Sequence, residues 1–146
     1  MCQSMFQDMV NKYNVADMFY IDSAATSREE IGNPPHYGTV NKLREVQIPL
    51  VPHRARQMTP DDYDNYDFLI GMDSYNIKNM MHIAGGDPDG KIYQLLTFAG
   101  STRSIADPWY TDNFDETFDD LTEGLNAFWD YLIHNYPELQ SRLKCR

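Results

Sequence analysis

The sequence predicts an α/β protein in which a small parallel sheet is flanked by helices on both faces. Short apolar segments typical of buried strands alternate along the chain with amphipathic segments of helical period. Clusters of Gly, Pro and polar residues mark the boundaries between these segments. Because alternating strands and helices are joined by right-handed crossovers, we expect parallel strands that are covered on both faces.

The first half of the chain contains two predicted helices and one predicted strand. Apolar residues in 5–13 recur at spacings of three and four, which indicates a helix that stops at Asn14. Residues 18–23 are apolar, short in extent and bounded by polar residues, as in a buried parallel strand. After the loop chemistry of 32–35, the apolar spacing in 40–46 predicts a short second helix.

The middle of the chain contains a helix start, a strand and a further helix. Thr59 is a good N-cap residue, and Pro60 suits the first helical position. Residues 66–72 (YDFLIGM) form the clearest buried strand. Asp73 then caps a predicted helix that ends at Gly85.

The last third contains a strand and the strongest helical pattern. Residues 91–98 are predicted to form the third strand. Apolar residues in 114–132 alternate spacings of four and three, and Asn113 with Glu116 resembles a capping box. Pro137 is expected to close this helix.

Composition restricts the class of protein. The 146 residues, of which 42% are hydrophobic, predict a single domain over 1–146. A net charge of −10 argues against a nucleic-acid partner, since neutralising phosphates requires clustered Lys and Arg. No apolar run is long enough to span a bilayer, so we expect no membrane partner. The absence of a signal-like start predicts the cytoplasm.

Two motifs carry the most specific pattern in the chain. The first is IDSAATS at 21–27, which is followed by IGNPP at 31–35, and the second is ADPWY at 106–110. In this order they resemble the low-molecular-weight protein-tyrosine phosphatases. The resemblance implies a four-stranded parallel sheet whose first strand lies between the second and the third. It also implies hydrolysis of phosphotyrosine proteins or small aryl phosphates through a cysteinyl-phosphate, with no metal and no cofactor.

The resemblance assigns Asp107 the role of general acid and base. A tyrosine phosphate leaves as a phenolate whose conjugate acid has a pKa of about 10, so a carboxylic acid that protonates the departing oxygen makes the step easier. Trp109 and Tyr110 would flank the aromatic ring of the substrate. From the residues alone, the Asp-Pro dipeptide is equally well explained as a turn.

Three further residues are site candidates by the same resemblance. Ser23 and His53 would donate hydrogen bonds toward the phosphate loop of the family and hold its shape. A hydroxyl and an imidazole satisfied within the core explain these two residues about as well. Glu29 stands where the family usually has a large aromatic residue in the wall of the substrate cleft, and a carboxylate there would repel a dianionic ligand unless it is solvated.

The nucleophile of the family is absent from the sequence. The family's phosphate loop has the pattern Cys-x5-Arg, but Asp8 stands six positions after Cys2, and Cys145 is followed only by Arg146. By the resemblance, Met1 matches the residue just after this loop. We therefore expect an N-terminally incomplete domain that is inactive without the upstream segment. The His and Cys residues show no zinc-ligand spacing, so no metal site is predicted.

Other functions remain open on the sequence. A non-catalytic binding protein could be completed by a partner strand, including one from a second copy of the chain. Arsenate reduction on the same architecture would need additional redox cysteines, and residues 72–98 contain none. Phosphoarginine hydrolysis stays possible, because the discriminating residue would lie in the absent loop.

Overall fold

The computed structural model describes residues 2–24, 37–50, 56–101, 104–105 and 113–144. In these ranges the helices are α1 (Cys2–Lys12), α2 (Tyr37–Glu45), α3 (Pro60–Asn65), α4 (Ser74–Ala84), α5 (Phe114–Asn135) and α6 (Pro137–Lys144). The strands are β1 (Leu69–Gly71) and β2 (Ile92–Gln94), and short 3-10 helices span Ala16–Met18 and Leu95–Ala99.

The sheet formed by β1 and β2 is parallel, as the sequence predicted. Leu69 pairs with Ile92, and Ile70 pairs with Tyr93. Leu69 and Ile92 are buried in a cluster with Met80 of α4, whereas Ile70 packs against the larger core. Because successive side chains of a strand point to opposite faces, helices cover both faces of this sheet. The predicted fold class is confirmed.

The prediction of a strand at residues 18–23 is wrong. A 3-10 helix covers Ala16–Met18, Phe19 is extended, and residues 19–23 belong to no strand. A strand requires a hydrogen-bonded neighbour, and within the described ranges β1 pairs only with β2. Phe19 and Ile21 pack on the core instead, and the Phe19 ring lies edge-on to the Phe6 ring with centroids 5.6 Å apart. Met18 and Tyr20 are exposed.

Two strands are shorter than the sequence predicted. The segment 66–72 contributes only three strand residues, and 91–98 likewise gives three before a 3-10 helix begins at Leu95. Pro137 follows the end of α5, as predicted, and it is also the first residue of α6. This position agrees with the preference of Pro for the first turn of a helix. This last helix was not predicted.

Helix boundaries follow the capping residues in the sequence. The Asp73 side chain accepts the Asn76 backbone N–H of α4, and Gly85 ends that helix in the left-handed region at φ 77°. Asn113 likewise caps α5 by accepting the Glu116 backbone N–H at 3.0 Å. These predicted helix boundaries are confirmed.

The larger core joins α1 to α5. The Phe128 ring lies 5.4 Å from the Phe6 ring and 4.9 Å from the Phe98 ring, centroid to centroid. Tyr13, just after α1, stacks on Trp129 with ring centroids 4.9 Å apart. The buried members of this core are Met5, Phe6, Val10, Val15, Leu43, Leu95, Leu96, Ile105, Leu121, Leu125, Phe128, Trp129, Leu132 and Leu139.

Gly124 allows a close approach between α5 and the segment after β2. A Cβ atom placed on Gly124 would lie 2.5 Å from Cγ of Leu95 and 2.8 Å from its Cδ2. Leu95 is fully buried in the same core. A helix interior normally disfavours glycine. The close packing of Leu95 against this position explains why glycine stands there.

Candidate active site

Ser23 is the only predicted site residue that falls within the described ranges. Asp107, His53, Glu29, Trp109 and Tyr110 lie outside the residues that the structure describes. Their roles stay predictions.

Ser23 is hydrogen-bonded to the first turn of α1. Its Oγ donates to Oε1 of Gln3 at 2.7 Å, and Nε2 of Gln3 donates to the backbone carbonyl of Ile21 at 3.3 Å. The backbone N–H of Ser23 donates to Oδ1 of Asp22 at 2.8 Å. Two hydrogen bonds with the Gln3 side chain thus hold the segment 21–23 against the start of α1.

Arg56 connects the same segment to α3. Its Nη2 lies 3.1 Å from Oδ2 of Asp22, and its Nη1 donates to Oδ2 of Asp62 at 3.0 Å. Asp62 also accepts the backbone N–H of Thr59 at 2.9 Å, which closes the first turn of α3. The guanidinium therefore bridges two carboxylates that belong to different parts of the fold.

Tyr66 contributes a further donor to this cluster. Its hydroxyl donates to Oδ2 of Asp22 at 3.4 Å, and its ring lies 5.9 Å from that of Tyr20. Burial is the main cause that raises the pKa of the Tyr66 phenol, and the negative charge of Asp22 raises it further. The hydroxyl consequently keeps its proton at neutral pH and remains a donor.

We expect Asp62 to make the free energy of unfolding depend on pH on the acid side. Burial of this carboxyl works to raise its pKa, but hydrogen bonds from Arg56 and from the Thr59 backbone outweigh burial and lower it. A carboxyl whose pKa falls on folding stabilises the fold above its unfolded pKa of about 4. That contribution is lost as the pH falls through the lower, folded value.

Urea unfolding at neutral pH and at about pH 3 measures this contribution. The Asp62→Asn variant should lose less stability between the two pH values than the parent chain does. Asp64→Asn provides the matched control, because Asp64 is an exposed carboxylate of the same helix. An equal loss in the parent and in Asp62→Asn would contradict the expectation.

Asp73 is accounted for by its structural role. Its Oδ1 accepts the backbone N–H of Asn76 at 2.7 Å, and Oδ1 of Asn76 accepts the backbone N–H of Met72 at 3.0 Å. These two hydrogen bonds satisfy backbone donors where β1 passes into α4. Capping explains the carboxylate fully.

Cys2 does not have the lowered pKa that a nucleophilic cysteine requires. Burial raises the pKa of its thiol to about 11. At neutral pH the reactive thiolate is therefore scarce, whereas a catalytic cysteine needs a lowered pKa. The other cysteine, Cys145, lies outside the described ranges.

Metal-ligating side chains do not cluster in the part of the chain that the structure describes. Within it, no three His, Cys, Asp or Glu side chains are grouped so that they could hold a metal ion. In the same residues, no helix has both the length and the apolar character needed to cross a membrane.

The sequence did not predict the residues that hold the segment 21–23 in place. Gln3 and Arg56 both belong to the cluster, yet neither was a site candidate. Arg56 follows closely on His53 in the sequence, and its place within the HRARQ segment at 53–57 is the one signal that could have indicated it. Gln3 carries no such signal, because a polar residue in the first turn of a helix is common.

Comparison with known proteins identifies the family. The profile of the family described as low molecular weight phosphotyrosine protein phosphatase matches residues 1–138. The chain is 35% identical over 118 residues to the low molecular weight protein-tyrosine-phosphatase YfkJ of Bacillus subtilis, covering 80% of this chain and 76% of that protein. It is 38% identical over 116 residues to the low molecular weight phosphotyrosine protein phosphatase of Rattus norvegicus, covering 77% and 73% of the two chains.

A solved structure gives the same result for the fold. The crystal structure of YfkJ from Bacillus subtilis superposes with a TM-score of 0.87 at 31% identity, covering 92% of this chain and 86% of that one. The profile match and the sequence identities agree with the motifs at 21–35 and 106–110. The chain belongs to the low molecular weight phosphotyrosine protein phosphatase family, whose members are phosphoric monoester hydrolases.

Proposed function

We propose that the chain provides the proton donor and the framework for hydrolysis of aryl phosphate monoesters, phosphotyrosine proteins above all. The family match over residues 1–138 carries this proposal. In the reaction, a thiolate attacks phosphorus and the P–O bond to the phenol breaks. Asp107 gives its proton to the departing oxygen. The same carboxylate then takes a proton from the water that attacks the cysteinyl-phosphate, which releases phosphate and restores the thiolate.

The attacking thiol is not among the 146 residues. Cys2 has no Arg at the sixth position after it, and its raised pKa disfavours the thiolate. We infer that a Cys-x5-Arg loop directly before α1 supplies the nucleophile and the phosphate-binding guanidinium. The helix N-terminus would then face the phosphate, where its backbone N–H groups favour an anion.

The other candidates take supporting roles in this proposal. Ser23 and His53 would maintain the shape of the loop through hydrogen bonds, and Trp109 and Tyr110 would flank the substrate ring. Glu29 at the wall of the cleft would disfavour close approach of a dianion, so the preference for phosphotyrosine rests on the remaining aromatic residues. A cytoplasmic location stays a prediction.

Hydrolysis of p-nitrophenyl phosphate tests the proposal in three proteins. They are the 146-residue chain, the chain preceded by the strand and Cys-x5-Arg loop of the family, and the same extended chain with its loop cysteine replaced by serine. We expect turnover only in the second. Turnover by the first would overturn the assignment of the nucleophile, and no turnover by the second would favour a non-catalytic role.

The second candidate function is that of a non-catalytic binding protein whose sheet is completed by a strand from a second copy. In the described part of the chain, β1 has a hydrogen-bonded neighbour only in β2, so a strand from a second copy could occupy its other edge. Light scattering on the 146-residue chain would then report a stable dimer, and adding the upstream strand should return it to a monomer. A monomer in both cases would remove this candidate.

A further inference from the structure

We propose that Arg56 is a positioning residue for the phosphatase reaction, acting by holding the segment 21–23 against the first turn of α1. The inference rests on the proposed function, because it gives the start of α1 a role in binding phosphate. Arg56 is not among the site residues that the sequence predicted.

The guanidinium is bound on two sides. Toward Asp22, Nε donates to Oδ2 at 3.2 Å while Nη2 lies 3.1 Å from the same oxygen. Toward Asp62, Nη1 donates to Oδ2 at 3.0 Å and Nη2 to Oδ1 at 3.3 Å. The planar fork of Arg suits two-pronged contacts of this kind, and an ammonium group does not reproduce them.

Charge disfavours a direct role of Arg56 in binding the substrate. Among the residues that the structure describes, two carboxylates contact the single positive charge of Arg56, so that charge is already compensated. A phosphate dianion that approached Arg56 would be repelled by these carboxylates. Arg56 therefore acts through the residues that it holds.

The contacts lead from Arg56 to α1 in three steps. Arg56 fixes the carboxylate of Asp22, and Oδ1 of Asp22 accepts the backbone N–H of Ser23 at 2.8 Å. The Ser23 hydroxyl then donates to Gln3 at 2.7 Å. The opposite end of the bridge is fixed as well, since Asp62 is buried and closes the first turn of α3.

Small displacements of this segment should matter for the reaction. A misplacement of about 1 Å can cost on the order of 100-fold in rate when groups must be aligned for attack. Without the bridge, Asp22 keeps the Tyr66 hydroxyl as a donor but loses the guanidinium that fixes Oδ2, so its carboxylate is less firmly oriented toward the Ser23 N–H. Ser23 and Gln3 would then no longer hold the start of α1 in one position.

A double-mutant cycle tests the proposal in the chain extended by the Cys-x5-Arg loop. We expect Arg56→Met and Ser23→Ala each to lower kcat/KM by about 10-fold to 100-fold. The double variant should be no slower than the slower single variant, because both substitutions break the same chain of contacts. Effects that multiply, or an unchanged kcat/KM in Arg56→Met, would overturn the inference.

Two further variants separate bridging from other effects of the substitution. Arg56→Lys keeps the charge but not the fork, so it should recover only a small part of the lost kcat/KM. Arg44→Met is the matched control, since Arg44 is exposed near the end of α2, and it should retain the kcat/KM of the parent. Full recovery by Lys would mean that charge alone matters, which contradicts the proposed bridge.

Hydrogen exchange distinguishes failure of this inference from failure of the proposed function. In the 146-residue chain, Arg56→Met should speed exchange of the Ser23 backbone amide by at least about 10-fold, while the core amide of Leu125 stays protected. Unchanged exchange at Ser23 would refute the positioning contact regardless of activity. Faster exchange at Ser23, together with an extended chain that shows no turnover, would count against the proposed function alone.

Discussion

We expect the Asp107→Asn substitution to slow hydrolysis of aryl phosphates by about 10²–10⁴-fold in the chain extended by the cysteine loop. Asparagine is similar in size to aspartate but cannot release a proton to the departing phenolate. The loss should be largest for substrates whose phenol has a high pKa, since these depend most on protonation. Steady-state rates over a series of substituted phenyl phosphates measure this dependence.

A matched variant controls for a change of charge. Asp119 is an exposed carboxylate of α5, so Asp119→Asn should leave the rates unchanged. If Asp107→Asn retained the rate of the parent, or slowed all substrates equally, Asp107 would not be the proton donor. The second result would indicate that the substitution disturbs binding or the loop instead.

The second large effect is expected at Gly124, where alanine should destabilise the fold. In a helix interior, Gly→Ala normally stabilises by about 0.5–1 kcal/mol. Here the added Cβ would come within 2.5 Å of Leu95 Cγ, far inside van der Waals contact. Overpacking a core costs about 1–3 kcal/mol, so we expect the steric cost to exceed the gain in helix propensity. Urea unfolding measures the difference.

The control for Gly124→Ala lies on the same helix. Asn126 is exposed, so Asn126→Ala should gain the propensity of alanine without the steric cost and leave the fold as stable or slightly more stable. A Gly124→Ala variant as stable as the parent would mean that the segment Leu95–Ala99 moves away at little cost. In that case the close packing of α5 on this segment would not be a source of stability.

Helices were predicted from the sequence more accurately than strands. The start of α5 at Phe114 and the end of α4 before Gly85 depend on residues within one or two turns, so local patterns suffice. The strand predicted at 18–23 depends on a neighbouring strand, which local sequence cannot supply. A short apolar segment that packs on a core has the same pattern without any sheet.

The candidate site was predicted only in part, for a related reason. Ser23 could be identified from a motif, but its partner Gln3 lies 20 positions away on another element. The bridge made by Arg56 joins Asp22 and Asp62, which the sequence separates by 40 positions. Contacts of this range depend on the tertiary fold, and no spacing rule contains them. The roles of Asp107 and His53 stay predictions.

The packing of α1 on α5 has a consequence for how the protein folds. Phe6 and Phe128 meet in the core although almost the whole chain lies between them. Contacts of such high sequence separation require a large loop to close before they yield any stabilisation, which slows folding. During synthesis on the ribosome, the apolar face of α1 therefore cannot pack on α5 until α5 has emerged. A chaperone that shields exposed apolar surface would act on the nascent chain during this interval.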